Sequence, residues 1–190
     1  MPALKNLLIG ATLLGWSAIT PLSANPPSSL PQDYVALKEL ASEGQASAQK
    51  KLGLLYRDGE DIGKNHEEAF RWVGKAAAQD HKEAQFLLGQ FHFHAIGTTE
   101  NKEAAIKWLT KAAEQNHLLA KIWVGNFHYR GWGVPENPER AVEWYRKGAE
   151  QGDPLAKYAL ANLYLVGRGV AQDYEESYRW LAKAAAQEHV

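Results

Sequence analysis

The amino-acid sequence repeats with a period of 36 residues, and this period limits the fold more than any other feature. Alanine, tryptophan, lysine and glutamine each keep the spacing four times, at Ala48, Ala84, Ala120 and Ala156, at Trp72, Trp108, Trp144 and Trp180, at Lys75, Lys111, Lys147 and Lys183, and at Gln79, Gln115, Gln151 and Gln187. Because the copies follow one another without an insertion, they indicate an array of stacked supersecondary units. Such an array buries its core between neighbouring units.

Residues 120–152 show what one unit contains. They predict a first helix over 120–130, a glycine-rich turn over 131–136, and a second helix that begins at Asn137-Pro138 and ends at Gly152. Short polar residues that can cap a helix N-terminus precede all four second helices, at Asn65, Asn101, Asn137 and Asp173. The predicted fold class is therefore an all-α solenoid of helix–turn–helix units.

The period also divides the chain. The predicted parts are a signal peptide over 1–24, a linker over 25–31, a half-repeat helix over 32–44, and four full repeats over 46–81, 82–117, 118–153 and 154–190. We number these repeats as units one to four. The half-repeat matches only the second helix of a unit, and it would cover the apolar flank of unit one.

Glycines mark the turn inside each unit. Gly59, Gly131 and Gly167 end the first helices, as left-handed C-cap residues commonly do. Ala95 takes this position in unit two, and Asp61 replaces a second turn glycine in unit one. We therefore expect the turns of these two units to differ locally.

Apolar residues at helical spacing predict the buried faces. On the first helices the core set is Ala84, Leu88 and Phe91, together with the residues at the same positions in the other units. Gly53, Gly89 and Gly125 lie beside this face and would let a neighbouring helix come close. The tryptophans are interpreted as core residues of the second helices rather than as a platform for a cofactor or a sugar.

These columns resemble a known family of repeats. The pattern Ala-x3-Leu-Gly-x2-Tyr, Gly-x-Gly-Val-x2-Asp, Ala-x2-Trp-x2-Lys-Ala-Ala-x-Gln is similar to the Sel-1-like repeat, a relative of the tetratricopeptide repeat. Unit four matches best, through Leu160, Tyr164, Gly167, Gly169, Val170, Asp173, Trp180, Lys183, Ala184, Ala185 and Gln187. The resemblance implies a right-handed α-solenoid that acts as an adaptor in protein complexes, in bacteria often at the envelope or a host interface.

Composition and charge exclude several classes of function. The chain has 21 Lys+Arg against 22 Asp+Glu and no basic run, which argues against a nucleic-acid partner. It has no cysteine, so a disulfide framework, a thiolate zinc site and a cysteine nucleophile are impossible.

The N-terminus predicts export to a periplasm or to the exterior. Lys5 precedes an apolar run over 7–16, and small residues follow it before a Pro/Ser-rich stretch. This order is typical of a secretory signal peptide, with cleavage near Ala24. An uncleaved anchor is the alternative.

No motif predicts an enzyme, a cofactor or a metal site. Nucleophile elbows, zinc-protease helices and phosphate-binding loops are absent from the sequence. His92 and His128 share a column that holds Tyr56 and Tyr164 in the other units, so we interpret both as packing residues. A metal shared by the two histidines is the alternative, which a ligand set of only two disfavours.

The side of the first helices opposite the core is unusually apolar for a surface. In solenoids of this kind the first helices line the concave side, so we predict that a protein or peptide binds there. Amides would hold the peptide backbone, aromatic residues would form pockets, and Arg57 and Arg130 would add charge selectivity. The predicted partner-binding residues are Phe86, Gln90, Phe93, His94, Ile122, Asn126, Tyr129, Arg130, Tyr158, Asn162 and Leu165.

Three other functions remain open at this stage. Tyr174, Tyr178 and Leu181 predict an unprotected C-terminal edge that supports self-association, because no closing helix follows in the sequence. A scaffold that docks by its edges in an envelope complex, such as a secretion or polysaccharide machine, is a second possibility. The third is a periplasmic β-lactam-binding or hydrolytic protein, although the chain lacks the cysteine pairs of the family members associated with β-lactams.

Overall fold

The computed structural model describes residues 32–59 and 62–186, so the predicted signal peptide and linker lie outside the described residues. The described part folds into helices joined by short turns. These helices are α1 Gln32–Ser42, α2 Ala46–Asp58, α3 His66–Ala78, α4 Lys82–His94, α5 Lys102–Glu114, α6 Leu118–Arg130, α7 Pro138–Glu150, α8 Pro154–Val166 and α9 Tyr174–Ala185.

Each helix packs against the next one in sequence, which is how a solenoid grows. The first helices of units one to four are α2, α4, α6 and α8, and the second helices are α3, α5, α7 and α9. The half-repeat α1 packs on α2. The buried residues form successive apolar clusters along the array rather than one central core. The predicted all-α solenoid is confirmed.

The predicted N-caps are confirmed as well. The side-chain oxygen of each cap residue accepts a hydrogen bond from the backbone N–H three residues later. The four distances are 3.0 Å at Asn65, 2.8 Å at Asn101, 2.8 Å at Asn137 and 2.9 Å at Asp173. The backbone N–H of each cap residue also donates to a carbonyl near the end of the preceding first helix, which fixes the angle between the two helices of a unit.

The turn of unit two does not differ in backbone conformation, so that expectation is wrong. Ala95 has φ 56° and ψ 38°, while Gly131 has φ 67° and ψ 34°. Both residues donate their N–H to the carbonyl four residues earlier and end a first helix in the left-handed region. The tertiary structure imposes the conformation on alanine despite its steric cost. Asp61 lies outside the described residues.

In units two to four, one turn glycine is required by a close approach between units. A Cβ on Gly97 would lie 1.9 Å from the carbonyl oxygen of His66 in the preceding unit. Gly133 and Gly169 meet the start of α5 and of α7 in the same way. These contacts place each turn against the beginning of the preceding second helix.

The core columns are buried as predicted, but the tryptophans only in part. Ala84, Leu88 and Phe91 and their counterparts in units three and four have almost no exposed surface. Trp180 is buried, whereas the other three tryptophans are half-buried. A lysine three residues later lies over each indole ring, at 4.1 to 4.6 Å from the ring centroid. The expectation of full core burial is therefore wrong for Trp72, Trp108 and Trp144.

Within the described ranges, none of the helices is both long enough and apolar enough to cross a membrane.

Candidate functional site on the first-helix face

The candidate site is the surface formed by the predicted partner-binding residues of α4, α6 and α8, which we call the first-helix face. Its geometry depends on how closely each first helix lies on its own second helix. A Cβ on Gly89 would lie 2.6 Å from Cγ of Leu109, and a Cβ on Gly125 would lie 2.5 Å from Cε1 of Tyr145. The absence of these methyl groups brings the helices together, as predicted, and places Tyr145 directly beneath α6.

Between α4 and α6 the first-helix face is sealed by aromatic rings. Phe86 is only 8% exposed and stacks on the His117 imidazole at 4.4 Å between ring centroids. The Phe93 ring lies 5.4 Å from that of Trp123 and 5.0 Å from that of Trp132. These rings pack on one another and fill the space between the two helices. Phe86 is therefore a core residue, and its predicted exposure to a partner is wrong.

Ile122 is also buried, so its predicted exposure is wrong for the same reason. Its side chain is 9% exposed and belongs to the apolar cluster shared with α7 and α8. Helical spacing placed it opposite the core of its own unit. The neighbouring unit covers that side in a stacked array, which a single-helix projection does not show.

Between α6 and α8 the same face is open. One difference lies at a single position, where unit three carries Trp123 and unit four carries Ala159. A depression of about 360 Å³ lies there. Its lining residues are Asn126, Tyr129, Arg130, Tyr145, Tyr158, Ala159, Asn162 and Leu163. We call this depression the α6–α8 pocket.

Five of the predicted partner-binding residues meet in the α6–α8 pocket, and the others do not. Those that line it are Asn126, Tyr129, Arg130, Tyr158 and Asn162. Gln90 is half-buried and lies one unit away, His94 is exposed beside Phe93, and Leu165 is exposed on the last turn of α8. Of the three predicted amide side chains, Gln90, Asn126 and Asn162, only Asn126 and Asn162 lie in this pocket.

Asn126 is held in one orientation. The hydroxyl of Tyr145 donates a hydrogen bond to Oδ1 of Asn126 at 2.6 Å. Burial raises the pKa of Tyr145, so the phenol stays protonated and keeps its role as donor. Sequence reasoning missed Tyr145. The signal was present, because the same column holds Val73, Leu109 and Leu181 in the other units.

Two arginines flank the Tyr129 ring. The guanidinium of Arg168 lies 4.2 Å from the ring centroid and that of Arg130 lies 5.8 Å from it. Arg168 is also tied to Glu136 by a 2.7 Å ion pair, and this hydrogen bond raises the pKa of the guanidinium. Arg57, the other predicted selectivity residue, pairs with Asp58 at 2.7 Å in unit one and stands apart from the pocket.

The pocket has the chemistry of a binding surface. Its lining contains amides, phenols, a guanidinium and aliphatic carbon, but no serine, cysteine, histidine or carboxylate. It therefore holds no nucleophile with an adjacent general base. In the part of the chain that the structure describes, no group of three or more His, Cys, Asp or Glu side chains is placed to hold a metal ion.

The two histidines of the tyrosine column lie in packing environments. The ring of His92 makes an edge-on contact with that of Phe70 at 5.1 Å, and His128 is 8% exposed. Burial lowers the pKa of both imidazoles. Nδ1 of each ring is enclosed without a hydrogen-bond partner, whereas the Tyr56 and Tyr164 hydroxyls are bonded to Tyr34 and Arg146.

A wider groove lies between the second helices α5 and α7. It encloses about 890 Å³ and is lined by Trp108 and Trp144 together with His128. Four lysine and arginine side chains line it together with three glutamates, so the two signs of charge are nearly balanced. The half-buried tryptophans are thus walls of a groove as well as packing residues.

The stacked hairpins define the chain as a right-handed α-solenoid repeat protein. The chain belongs to the Sel1 repeat family, whose model matches residues 46–81, 82–117, 118–153 and 154–189. Sel1 repeats generally mediate protein–protein interaction, and proteins of this family are typically scaffolds rather than enzymes.

Solved structures with the same fold agree with this assignment. A protective antigen of uropathogenic Escherichia coli with an SLR fold is 34% identical with a TM-score of 0.79, over 81% of this chain and 33% of the antigen. A Sel1 repeat protein from Oxalobacter formigenes is 36% identical with a TM-score of 0.79, over 83% of this chain and 65% of that protein. Cysteine-rich protein B of Helicobacter pylori shares the fold at 20% identity and a TM-score of 0.51, over 65% of this chain and 93% of that protein.

The chain thus spans about a third of the Escherichia coli antigen and just under two thirds of the Oxalobacter protein. No curated protein sequence matches the chain significantly.

Proposed function

We propose that the chain is an adaptor that binds an extended segment of a partner protein in the α6–α8 pocket. The observation that carries this proposal is the opening left by Ala159, which exposes polar and aromatic groups that a tryptophan covers one unit earlier. Tyr158 is 58% exposed at the rim, and Tyr129 lies on the opposite wall. Exposed aromatic side chains beside orienting amides are the usual composition of a peptide-binding surface.

The test uses a library of random peptides as ligands, because no partner is identified. Random decapeptides displayed on phage would be selected on the full-length chain, and the recovered peptides would be measured for affinity. Ala159→Trp should fill the pocket and weaken these peptides by about tenfold or more, equivalent to about 1.4 kcal/mol. Lys51→Trp is the matched control, because it puts the same side chain at the same repeat position of unit one.

Two results would contradict the proposal. Peptides that bind Ala159→Trp as tightly as the unchanged chain would place the binding surface elsewhere. A selection that yields no peptide sensitive to Ala159→Trp would do the same. A β-lactam-binding or hydrolytic role remains the alternative from the enzyme class, and turnover of nitrocefin by the purified chain would favour it.

A second proposal concerns α9, which exposes an aromatic edge. Tyr174 and Tyr178 are among the most exposed large side chains, while Ile106 and Val142, at the position of Tyr178 in units two and three, are buried. We propose that this edge docks a helical hairpin, either of a second copy of the chain or of an envelope complex. Light scattering that shows one mass at all concentrations, unchanged by Tyr178→Glu, would exclude self-association.

We also propose that the chain is exported to a periplasm or to the exterior. The support is the order of Lys5, the apolar run over 7–16 and the small residues before Asn25. Mass spectrometry of the protein recovered from an envelope fraction should give a mature N-terminus near Asn25. An intact N-terminus at Met1 would contradict cleavage.

A further inference from the structure

The polar lining of the α6–α8 pocket contains one cationic side chain and no carboxylate. The hydroxyl of Tyr145 donates to Oδ1 of Asn126 at 2.6 Å, which turns the oxygen of that amide toward Tyr145. The amide group therefore offers Nδ2, with its two N–H bonds, to whatever binds beside it. A phenol is a good donor and Tyr145 is 3% exposed, so this orientation is held by a buried partner.

Arg130 adds a cation to the same wall. Asn126 and Arg130 both line the pocket, and they lie four residues apart on α6. Side chains at this spacing stand one above the other on a helix, with about 5–6 Å between their Cβ atoms. Across residues 32–59 and 62–186, no carboxylate lies within ion-pair distance of the Arg130 guanidinium, whose recorded contact is with the Tyr129 ring.

The second arginine adds no net charge to the pocket. Arg168 lies over Tyr129 and pairs with Glu136, and neither Arg168 nor Glu136 is among the residues that line the pocket. The pocket therefore presents N–H donors and positive charge with no negative group of its own. A ligand that fits must bring acceptors, and a carboxylate is the group that bridges a guanidinium and an amide best.

We propose that the segment bound in the α6–α8 pocket anchors through the side-chain carboxylate of an aspartate or glutamate, held by Arg130 and by Nδ2 of Asn126. Tyr145 is a positioning residue that keeps Asn126 a donor. This inference rests on the proposed function and adds the ligand class. It assigns a side chain rather than a chain terminus, because the pocket is an open depression between two helices through which a segment can continue.

The repeat itself explains why the selectivity belongs to this pocket. At the position of Tyr145, unit two carries Leu109 and unit four carries Leu181. Neither leucine can bond an amide, so Gln90 and Asn162 are not fixed in this way. At the position of Arg130, unit two carries His94 and unit four carries Val166. Only unit three combines a fixed amide with an arginine.

The experiment uses the displayed decapeptides, which are fused to the coat protein through their C-termini and so have no free terminal carboxylate. Sequences that depend on the pocket should carry aspartate or glutamate at one fixed position. Exchange of that residue for asparagine or glutamine should weaken binding at least tenfold. Arg130→Gln should remove most of this difference, whereas Arg140→Gln, which changes the charge equally on another surface, should preserve it.

Tyr145→Phe separates positioning from packing, because it keeps the ring and removes only the hydroxyl. It should leave the melting temperature within a few degrees and reduce the preference for the acidic peptide over its amide counterpart. An unchanged preference would overturn the role assigned to Tyr145, and so would an equal loss of affinity for both peptides.

The outcomes for the two proposals are distinguishable. Peptides that lose binding on Ala159→Trp without an acidic preference would refute the carboxylate inference and leave the adaptor proposal standing. The absence of any peptide sensitive to Ala159→Trp would refute both. A soluble peptide without acidic side chains that binds tightly when its C-terminus is free, and weakly when it is amidated, would show that the carboxylate comes from a chain end.

Discussion

The junction between units two and three and the junction between units three and four have the same arrangement of helices, but their side chains differ in packing. In the first, Trp123 fills the space between the first helices and joins Phe93 and Trp132 in an aromatic cluster. In the second, Ala159 stands at the position of Trp123, and Arg168 stands at the position of Trp132. On the first-helix face, the first of these junctions is packed with aromatic rings and the second holds the α6–α8 pocket.

The difference shows that a repeat array separates stability from recognition by position. The column of Gly53, Gly89, Gly125 and Ala161 stays small in every unit, because the close contact between the two helices of a unit depends on it. The column of Lys51, Leu87, Trp123 and Ala159 faces the preceding element of the array, and in units three and four its residue distinguishes a packed junction from an accessible one. A binding site can therefore arise at one junction without any change to the framework.

The largest expected effect comes from opening the closed junction. Trp123→Ala removes the ring that Phe93 and Phe86 contact, at 5.4 and 6.3 Å between centroids. We expect the free energy of unfolding to fall by about 2–3 kcal/mol, somewhat less than for a fully buried tryptophan because Trp123 is partly exposed. Urea denaturation followed by circular dichroism measures it.

The reciprocal variant completes this comparison. Ala159→Trp adds a ring to a space that is already open, so we expect the free energy of unfolding to change by less than about 1 kcal/mol. If Trp123→Ala proved as harmless as Ala159→Trp, the closed junction would not depend on its aromatic cluster.

The sequence was sufficient for the framework, because the framework is local and periodic. Asn101 predicts a helix start and Gly131 predicts a helix end from chemistry within a few residues, and the structure confirms both. Ala95 is the exception. Its side chain disfavours the left-handed region, yet the surrounding turn contacts, which a local argument does not include, hold it there.

The candidate site could be predicted only in part, because it forms between units. A helical projection grouped Asn126, Tyr129 and Arg130 on one side of α6, and all three line the α6–α8 pocket. It could not show that the neighbouring unit buries Phe86 and Ile122. Nor could it find Tyr145 and Ala159, whose importance comes from what stands at the same position in other units.

A smaller effect is expected at the turn of unit two, away from either junction. Ala95→Gly should raise the free energy of unfolding by about 1 kcal/mol, because glycine adopts φ 56° without the clash that alanine suffers. Gly167→Ala is the matched reverse change, at φ 67° in unit four, and should lower it by a similar amount. Thermal unfolding of both variants tests whether the turns of units two and four contribute equally to stability. Equal destabilisation by both changes would show that Ala95 is not strained.

The smallest expected effect is a dependence of stability on pH that the two junctions do not share. His128 lies at the junction of units two and three, with Arg140 and Glu143 nearby, and burial lowers its pKa. Tyr164 takes the same position at the junction of units three and four. Its hydroxyl is bonded to Arg146 at 2.8 Å. An imidazole whose pKa is lower in the folded state binds fewer protons than in the unfolded chain, so stability is full above the unfolded value, about 6.5, and falls as the pH drops below it.

The melting temperature should therefore decrease from pH 7.5 to pH 5, and the decrease should be smaller in His128→Phe than in the unchanged chain. His66→Gln, at an exposed position, is the control and should keep the full decrease. The same pH dependence in His128→Phe would assign the effect to other groups and remove this difference between the junctions.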